Sequence, residues 1–274
     1  MSLTDKKLKL KVFDPKVIEE KRMNPKQGPA TILLVGSKRT GKSTLIEALM
    51  RIFRRIPKGM IITGSQSSAE RFSKFFPKSC IYDCLDDRLV QQIGSVIKKQ
   101  EKLNKSKVRG DYSSLLLFDD CGYDQKFSRS QILKKLFMNG RHYKILIIMA
   151  IQYARSIPPD LRNNADYVFI LRDPSIDGRK KLHKDYAGII HDFKMFCKIM
   201  DKCTSDYGCL VIDKTTSSNE IEDNIFYYKA KLSNKPFKVG SKQLWDFHNK
   251  YYRSDDEDDN CEDEDVIIKK STKR

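Results

Sequence analysis

Short apolar runs alternate with amphipathic stretches along the middle of this chain, and the alternation predicts its secondary structure. Residues 45–53 and 89–97 carry apolar side chains at helical spacing, and Pro57 ends the first of these helices. The remaining runs are short, and most are apolar enough to be buried on both faces, as the strands of a parallel sheet are. They comprise residues 32–35, 60–63, 115–118, 145–151 and 167–171.

The order of these elements predicts an α/β fold. Strands and helices that alternate along a chain form a mainly parallel sheet, flanked by helices and joined by right-handed crossovers. Residues 209–212 and 225–228 form two later apolar runs. We expect them to add strands to the sheet in antiparallel orientation.

Changes of composition divide the chain into three parts. Basic and apolar residues alternate over residues 6–13 as in a half-buried strand, and prolines follow, so residues 1–28 are predicted to form an N-terminal extension. Residues 29–235 carry the α/β pattern and form the predicted main domain. Residues 236–274 form a C-terminal segment whose acidic tail is predicted to be disordered.

Simple counts exclude or disfavour several classes of protein. The longest strongly apolar run, residues 145–151, is far shorter than the roughly 18 residues of a membrane span, so an integral membrane protein is excluded. Residues 1–7 contain no apolar segment typical of a secretory signal. Seven cysteines are an odd number, which favours reduced thiols in a cytosol-like compartment. The six-residue steps between Cys197, Cys203 and Cys209 do not match a structural zinc site.

The net charge of +17 conceals an uneven distribution. Residues 255–265 hold nine acidic residues and no basic one, whereas residues 1–253 hold 49 Lys and Arg against 27 Asp and Glu, a net +22. A body this basic is typical of proteins that bind a polyanion, most often nucleic acid, although such a charge also serves solubility alone. If the acidic run competes with DNA for the basic surface, deletion of residues 254–274 should tighten DNA binding at low salt.

A phosphate-binding motif lies between the first predicted strand and the first predicted helix. Residues 36–43, Gly-Ser-Lys-Arg-Thr-Gly-Lys-Ser, match G-x-x-x-x-G-K-[ST] without a mismatch. In this setting backbone N–H groups surround the phosphates, Lys42 reaches the β- and γ-phosphates, and the Ser43 hydroxyl ligates Mg²⁺. The alternative is a glycine-rich turn with an incidental lysine. The residues predicted to bind ATP are Gly36, Ser37, Lys38, Arg39, Thr40, Gly41, Lys42, Ser43 and Thr44.

Two acidic residues follow the third predicted strand. Asp119 is predicted to hold Mg²⁺ together with Ser43, and Asp120 to orient or deprotonate the attacking water. The alternative is that the two carboxylates cap the segment after the strand. The P-loop upstream favours the magnesium site.

Polar residues around the fourth predicted strand supply further candidates. Gln152 follows this strand at the ligand-facing edge of a parallel sheet, where it would sense the γ-phosphate or position water, unless it is only solvated there. Arg141, Arg155 and Arg162 flank this strand and the next one. Any of them could enter the site of a neighbouring subunit, or form a surface ion pair.

These segments together resemble the FtsK/HerA superfamily of P-loop NTPases, and within it the genome-packaging ATPases of nucleocytoplasmic large DNA viruses, of the poxvirus type. The resemblance is carried by the P-loop, the strand that ends in Asp119 and Asp120, residues 139–142 before the strand that ends in Gln152, and residues 157–166. It covers roughly residues 30–230.

The resemblance implies a five-stranded sheet of order 5-1-4-3-2, a ring homo-oligomer of five or six subunits, and ATP-driven movement of double-stranded DNA into a capsid. The ring would dock on capsid or portal-vertex proteins, in the host cytoplasm at the viral factory and in the virion. The resemblance also makes Asp119 the magnesium partner, Asp120 the catalytic carboxylate and Gln152 the sensor. Arg141 best matches the arginine finger, with Arg162 second. The superfamily usually has Glu where this chain has Asp120, which is one methylene shorter.

Two other functions fit parts of the sequence. A small-molecule P-loop kinase would share the motif, but it does not need so strong a positive field. A nucleotide-gated DNA-binding or scaffold protein would bind ATP only to switch conformation. Turnover, DNA stimulation and phosphoryl transfer to a small acceptor discriminate among the three.

Overall fold

The computed structural model describes residues 9–252 except 85, 107, 122–124 and 232. The predicted acidic tail, residues 255–265, lies outside the described residues. Within the described part of the chain, nine strands form one sheet. They are β1 (Lys11–Val12), β2 (Thr31–Val35), β3 (Lys58–Thr63), β4 (Ile81–Tyr82), β5 (Ser114–Asp119), β6 (Ile145–Ile151), β7 (Tyr167–Ile170), β8 (Gly208–Asp213) and β9 (Ile225–Lys229).

The helices lie between and around these strands. Six of the described helices begin at a serine or aspartate whose side chain accepts a hydrogen bond from the first helical turn, among them α4 after Asp86, α8 after Ser175 and α9 after Asp192. The helices in the described residues are α1 (Lys16–Met23), α2 (Lys42–Ile52), α3 (Gln66–Ser73), α4 (Asp87–Lys105), α5 (Gln125–Ser128), α6 (Gln131–Asn139), α7 (Pro159–Asn163), α8 (Ile176–Tyr186), α9 (Phe193–Cys203), α10 (Ile221–Asn224) and α11 (Lys242–Tyr251).

The five strands predicted from apolar runs form the centre of the sheet. The full order is β1-β9-β8-β7-β2-β6-β5-β3-β4, so the five predicted strands are neighbours in the order β7-β2-β6-β5-β3. Numbered among themselves, they follow 5-1-4-3-2. The complete order differs from the implied five-stranded one because four further strands lengthen the sheet at both sides. The α/β class with a mainly parallel sheet is confirmed.

The antiparallel strands predicted near the C-terminus are β8 and β9. β8 pairs with β7 in antiparallel register, from Tyr167 opposite Asp213 to Ile170 opposite Leu210, and β9 pairs in turn with β8. Because β8 is antiparallel to the central strands, it begins at the edge of the sheet where those strands end. The turn that precedes β8 and the end of β9 therefore lie at the same edge as the P-loop.

The predicted N-terminal extension adds to this sheet. The strand predicted over residues 6–13 is limited to β1 in the described residues, and β1 pairs in parallel with β9. Phe13 is buried and packs with ring centroids 5.6–5.7 Å from Tyr167, Phe169 and Phe226. Residues 9–28 therefore share the core of the main sheet.

Apolar side chains cover both faces of the central strands. All seven residues of β6 are buried, as are all five of β2, which explains why these runs do not alternate with polar residues. The lysine-rich stretch at residues 98–109 continues α4 as far as Lys105, so this part forms a helix end. Among the described residues, no helix is both long and apolar enough to span a membrane.

Candidate functional site

A cleft of about 660 Å³ lies at the carboxyl edge of the central strands. The P-loop forms its floor, and residues that follow β3, β5 and β6 form one wall. The turn before β8 and the end of β9 form the other wall. The predicted site residues that line the cleft are Ser37, Lys38, Arg39, Gly41, Lys42, Ser43, Thr44, Asp119, Asp120 and Gln152.

The two glycines of the P-loop are required by its backbone path. A Cβ on Gly36 would lie 2.8 Å from the Cβ of Leu171, which leaves no room for a side chain. Gly41 has a φ of 97°, a left-handed conformation that other residues rarely adopt, and α2 begins at the next residue. The loop therefore ends directly on a helix N-terminus, where free N–H groups and the helix dipole favour a phosphate.

Lys42 extends back across this loop. Its ammonium group donates hydrogen bonds to the carbonyl oxygens of Gly36 and Ser37. Burial lowers the pKa of Lys42, while the nearby carboxylates of Asp120 and Asp119 oppose that shift. A partly desolvated ammonium next to a helix N-terminus is well placed to bind phosphate oxygens.

Asp119 and Asp120 differ sharply in environment although they are adjacent. Asp119 is the last residue of β5 and is buried, and burial raises the pKa of its carboxyl group, an effect that a hydrogen bond with Ser68 opposes. Asp120 has a φ of 58°, and its backbone N–H donates to the carbonyl of Ala150, 3.2 Å away. This left-handed residue directly follows the last residue of the strand.

Gln152 meets Asp120 at the end of the neighbouring strand. β5 and β6 pair in parallel with Asp119 opposite Ala150, so the residues that follow both strands leave the sheet side by side. The side-chain amide of Gln152 donates a hydrogen bond to Asp120 Oδ2. The structure thus brings together Asp120 and Gln152, the two residues that the sequence predicts to orient or deprotonate the attacking water.

The residues that would hold Mg²⁺ fit such an ion in their chemistry. The Ser43 hydroxyl and the Asp119 carboxylate line one cleft and offer the hard oxygen ligands that Mg²⁺ prefers. Among the described residues, no cluster of three or more His, Cys, Asp or Glu is placed to hold a metal ion by itself.

Three further residues, which lie on α3 and at its N-cap, also line the cleft, and the sequence patterns did not predict them. They are Ser65, Ser68 and Arg71, which follow β3 at the same edge of the sheet. Arg71 forms an ion pair with Glu47, 3.1 Å away, and thereby joins α3 to α2. The only sequence feature that could have indicated them is that Ser65 follows a predicted strand, but serines follow many strands and this feature is not specific.

Arg141 lies at the opposite edge of the sheet. It precedes β6 and forms an ion pair of 2.8 Å with Asp166, whose other carboxylate oxygen accepts from the backbone N–H of Thr31 at the start of β2. Its side chain is 55% exposed. Arg141 is thus outside the cleft of its own subunit and partly exposed, in an ion pair at the opposite edge of the sheet.

Arg162 is buried, and it too is outside the cleft. Its guanidinium group pairs with Asp185 at 3.0 Å, donates to the carbonyl of Ala154 at 3.3 Å and lies over the ring of Tyr186. Arg155 pairs with the same Asp185 oxygen from the exposed side. The structure therefore gives Arg162 a place in the packing of α7 against α8.

The family of the chain follows from a comparison with known proteins. The model of the family described as Poxvirus A32 protein matches residues 19–228. Protein 088R of Invertebrate iridescent virus 3 is 37% identical over 222 residues, which cover 80% of this chain and 83% of that protein. Protein 075L of Invertebrate iridescent virus 6 is 34% identical over 247 residues, covering 89% of this chain and 94% of that protein.

A solved structure shares the fold. The genome-packaging NTPase B204 of Sulfolobus turreted icosahedral virus 2, in complex with AMPPCP, superposes with a TM-score of 0.54 at 18% identity. The match covers 74% of this chain and 98% of that protein. The family match confirms the predicted resemblance to proteins of the poxvirus type, and the solved structure shows the shared fold.

Proposed function

We propose that this chain, which belongs to the Poxvirus A32 protein family, hydrolyses ATP with Mg²⁺ to drive double-stranded DNA into a capsid. One observation carries the proposal: Lys42, Asp120 and Gln152 line a single cleft beside a P-loop that ends on a helix N-terminus. A nucleotide-binding complex of B204, a packaging NTPase of the same fold, supports ATP as the ligand.

The residues of the cleft divide the work of hydrolysis. The backbone of residues 36–43 binds the phosphates, and Lys42 leaves the Gly36 and Ser37 carbonyls to neutralise the β- and γ-phosphates. Asp120 accepts a proton from the water that attacks the γ-phosphorus. Gln152, fixed by its hydrogen bond to Asp120, orients that water and responds to the γ-phosphate.

Magnesium has a defined place in this scheme. When bound by Ser43 and Asp119, the ion would neutralise charge that develops on the phosphate oxygens. Asp119 is held for this purpose by its burial and by the Ser68 hydroxyl, so its carboxylate keeps one direction.

The charge of the body supports DNA as the polymer that is moved. Residues 1–253 carry a net +22. Part of this charge lies on α4, where the exposed residues Lys98, Lys99, Lys102 and Lys105 follow one another along the last turns. Each lysine that contacts a phosphate releases counterions, so DNA affinity should fall steeply as the salt concentration rises.

The assembly proposed for this activity is a homo-oligomeric ring of five or six subunits. An exposed Arg141 at one edge of the sheet and a nucleotide cleft at the other suit a ring in which each subunit completes its neighbour's site. Residues 29–235 are proposed as the ATPase domain. Capsid or portal-vertex proteins at the viral factory in the host cytoplasm, and in the virion, are the proposed docking partners.

The test measures ATP hydrolysis by the full chain with Mg²⁺, with and without duplex DNA, over a range of salt. We expect turnover that DNA accelerates at low salt. Lys42→Ala should abolish nucleotide binding and turnover, whereas Lys26→Ala, which removes an exposed lysine outside the cleft, should leave both intact.

Other outcomes would select another function. Turnover that duplex DNA of any length leaves unchanged at low salt would contradict translocation. Tight ATP binding with no turnover, unaffected by Asp120→Asn, would identify a nucleotide-gated DNA-binding protein. Transfer of the γ-phosphate to a nucleoside or small metabolite would identify a kinase.

A further inference from the structure

The turn before β8 holds two consecutive residues in a left-handed backbone conformation beside the P-loop. Asp206 has a φ of 47° and Tyr207 a φ of 59°. Positive φ is uncommon for any residue with a side chain, and unusual for one as bulky as tyrosine. Strain of this kind persists where the surrounding structure holds it, and it concentrates at ligand-binding sites.

The structure around the turn fixes this conformation. The buried Thr204 hydroxyl donates to the carbonyl of Met200, 2.7 Å away, and so ties the turn to the end of α9. A Cβ on Gly208 would lie 2.4 Å from the carbonyl oxygen of Cys203, so the chain can pass there only as glycine. The carboxylate of Asp206 pairs with the ammonium group of Lys229 at the end of β9.

The Tyr207 ring lies against the P-loop and remains accessible. A Cβ built on Gly41 would lie 3.4 Å from Cδ1 of Tyr207, so the ring edge lies beside this residue of the loop. The residue is nevertheless 69% exposed, and it lines the cleft. An accessible aromatic surface thus lies at the mouth of the phosphate site, on a turn whose backbone is held by its neighbours.

The sheet order places Tyr207 across the P-loop from the acidic residues. Asp119 ends β5, which lies two strands from β2 on one side. Tyr207 precedes β8, which lies two strands from β2 on the other side. At about 4.8 Å per strand, the cleft spans roughly 19 Å between them, with the P-loop in the middle. A triphosphate bound on the P-loop with its γ end at the acidic residues would have room to extend its nucleoside towards Tyr207.

We propose that Tyr207 is the stacking platform for the base of the bound nucleoside triphosphate. The inference rests on the proposed ATPase function and adds the residue that binds the nucleoside. Aromatic stacking tolerates any base because every base has a π-face. Tyr207 therefore supplies affinity for the nucleoside without choosing between adenine and guanine.

The test compares ligands that have a base with one that lacks it. Binding of ATP, GTP and inorganic tripolyphosphate is measured by calorimetry, with Mg²⁺, for the wild type, Tyr207→Ala and Tyr207→Phe. We expect Tyr207→Ala to weaken ATP and GTP by about tenfold each and to leave tripolyphosphate unchanged. Tyr207→Phe keeps the ring and should retain the affinity for both nucleotides.

Tyr251→Ala is the matched control. Tyr251 is also a largely exposed tyrosine, but it lies on α11 and does not line the cleft. The Tyr251→Ala substitution should leave the binding of ATP, GTP and tripolyphosphate unchanged. If Tyr207→Ala weakens all three ligands equally, or none, the stacking role is overturned while the proposed function stands. If the wild type binds ATP no better than Lys42→Ala does, both are overturned.

Discussion

Gln152 donates a hydrogen bond to Oδ2 of Asp120, and this contact joins the ends of the two central strands β6 and β5. Both residues follow buried strands, so the rigid sheet fixes where each side chain begins. Asp120 reaches Gln152 from a left-handed backbone position directly after the end of β5. The contact therefore holds the Asp120 carboxylate at the ligand-facing edge of the sheet.

Replacing Gln152 by leucine should therefore impair chemistry rather than binding. Gln152→Leu removes the donor that holds Asp120, while Lys42 and the P-loop stay intact. We expect kcat for ATP hydrolysis to fall by about tenfold or more, with the dissociation constant for ATP unchanged. Steady-state kinetics and direct nucleotide binding measure the two quantities separately.

A second glutamine provides the control for this variant. Gln91 is exposed on α4 and does not line the cleft, so Gln91→Leu should leave kcat unchanged. If Gln152→Leu instead weakened ATP binding as much as it lowered kcat, Gln152 would be a binding residue and its role towards Asp120 would be rejected.

Arg141 should act on the site of a neighbouring subunit. Its exposed ion pair with Asp166 contributes at most about 1 kcal/mol, so Arg141→Ala should leave the melting temperature nearly unchanged. An arginine finger is worth about 10³ in rate or more, so ATP turnover should nearly vanish. The two measurements separate a role in the neighbour's site from a structural role.

Mixing two inactive variants tests whether Arg141 works between subunits. Lys42→Ala chains keep Arg141, and Arg141→Ala chains keep an intact P-loop. When the two are mixed in one oligomer, some sites receive Lys42 from one chain and Arg141 from the next. Activity should then exceed that of either variant alone. A mixture as inactive as its components would contradict action in trans.

Arg162 should instead contribute to stability. Its side chain is 9% exposed and pairs with Asp185, which is itself 10% exposed. Arg162→Ala leaves this carboxylate with Arg155 alone, and we expect the free energy of unfolding to fall by about 2 kcal/mol, since part of a buried ion pair is lost. Chemical denaturation measures the change.

Arg155→Ala is the internal comparison, because Arg155 contacts the same oxygen of Asp185 from a side chain that is 53% exposed. It should cost no more than about 1 kcal/mol. Equal losses for the two arginines would mean that burial of Arg162 does not determine its contribution. A stable Arg162→Ala protein without ATPase activity would restore Arg162 as a candidate finger.

Local sequence patterns predict the central strands of the sheet and the residues of the cleft that follow those strands. β2, β5 and β6 are continuous apolar runs, and Asp119 and Gln152 stand where such runs end. Parallel strands all end at one edge, so residues that follow them meet without any further information. This geometry explains why the P-loop, the acids and Gln152 could be assigned to one site.

Features that depend on the turns between strands or on burial could not be predicted in the same way. The antiparallel direction of β8 is predicted from the sequence, but the apolar runs do not reveal that the turn before β8 brings Tyr207 to the cleft. Arg141 and Arg162 look alike in sequence, yet one is exposed and the other buried. Arg162 is buried by the packing of α7 against α8, whereas Arg141 lies before β6 and pairs with Asp166, and both environments depend on the whole fold.

Arg22 should make the stability of the N-terminal segment depend on pH. Its guanidinium group has no exposed surface and lies 2.6 Å from Asp111 and 2.6 Å from Glu19, so it ties α1 to the segment before β5. Burial by itself would raise the pKa of Asp111, but hydrogen bonds from Ser113 and Arg22 lower it below its ordinary value of 3.8. The ionised form of Asp111 is therefore favoured by folding.

The sign of the pH effect follows from that lowered pKa. Stability due to the Arg22–Asp111 pair is fully present above pH 3.8 and is lost as the pH falls through the lower pKa of the folded state. Arg22→Met should reduce the free energy of unfolding by about 3 kcal/mol at pH 7, because it leaves two carboxylates without their cation. Urea unfolding at a series of pH values should show that the difference in the free energy of unfolding between wild type and Arg22→Met shrinks below pH 3.8.

Arg88→Met, at an exposed position on α4, is the control and should differ little from the wild type at any pH. A difference for Arg22→Met that stays constant into acid would mean that Arg22 stabilises the segment by packing alone.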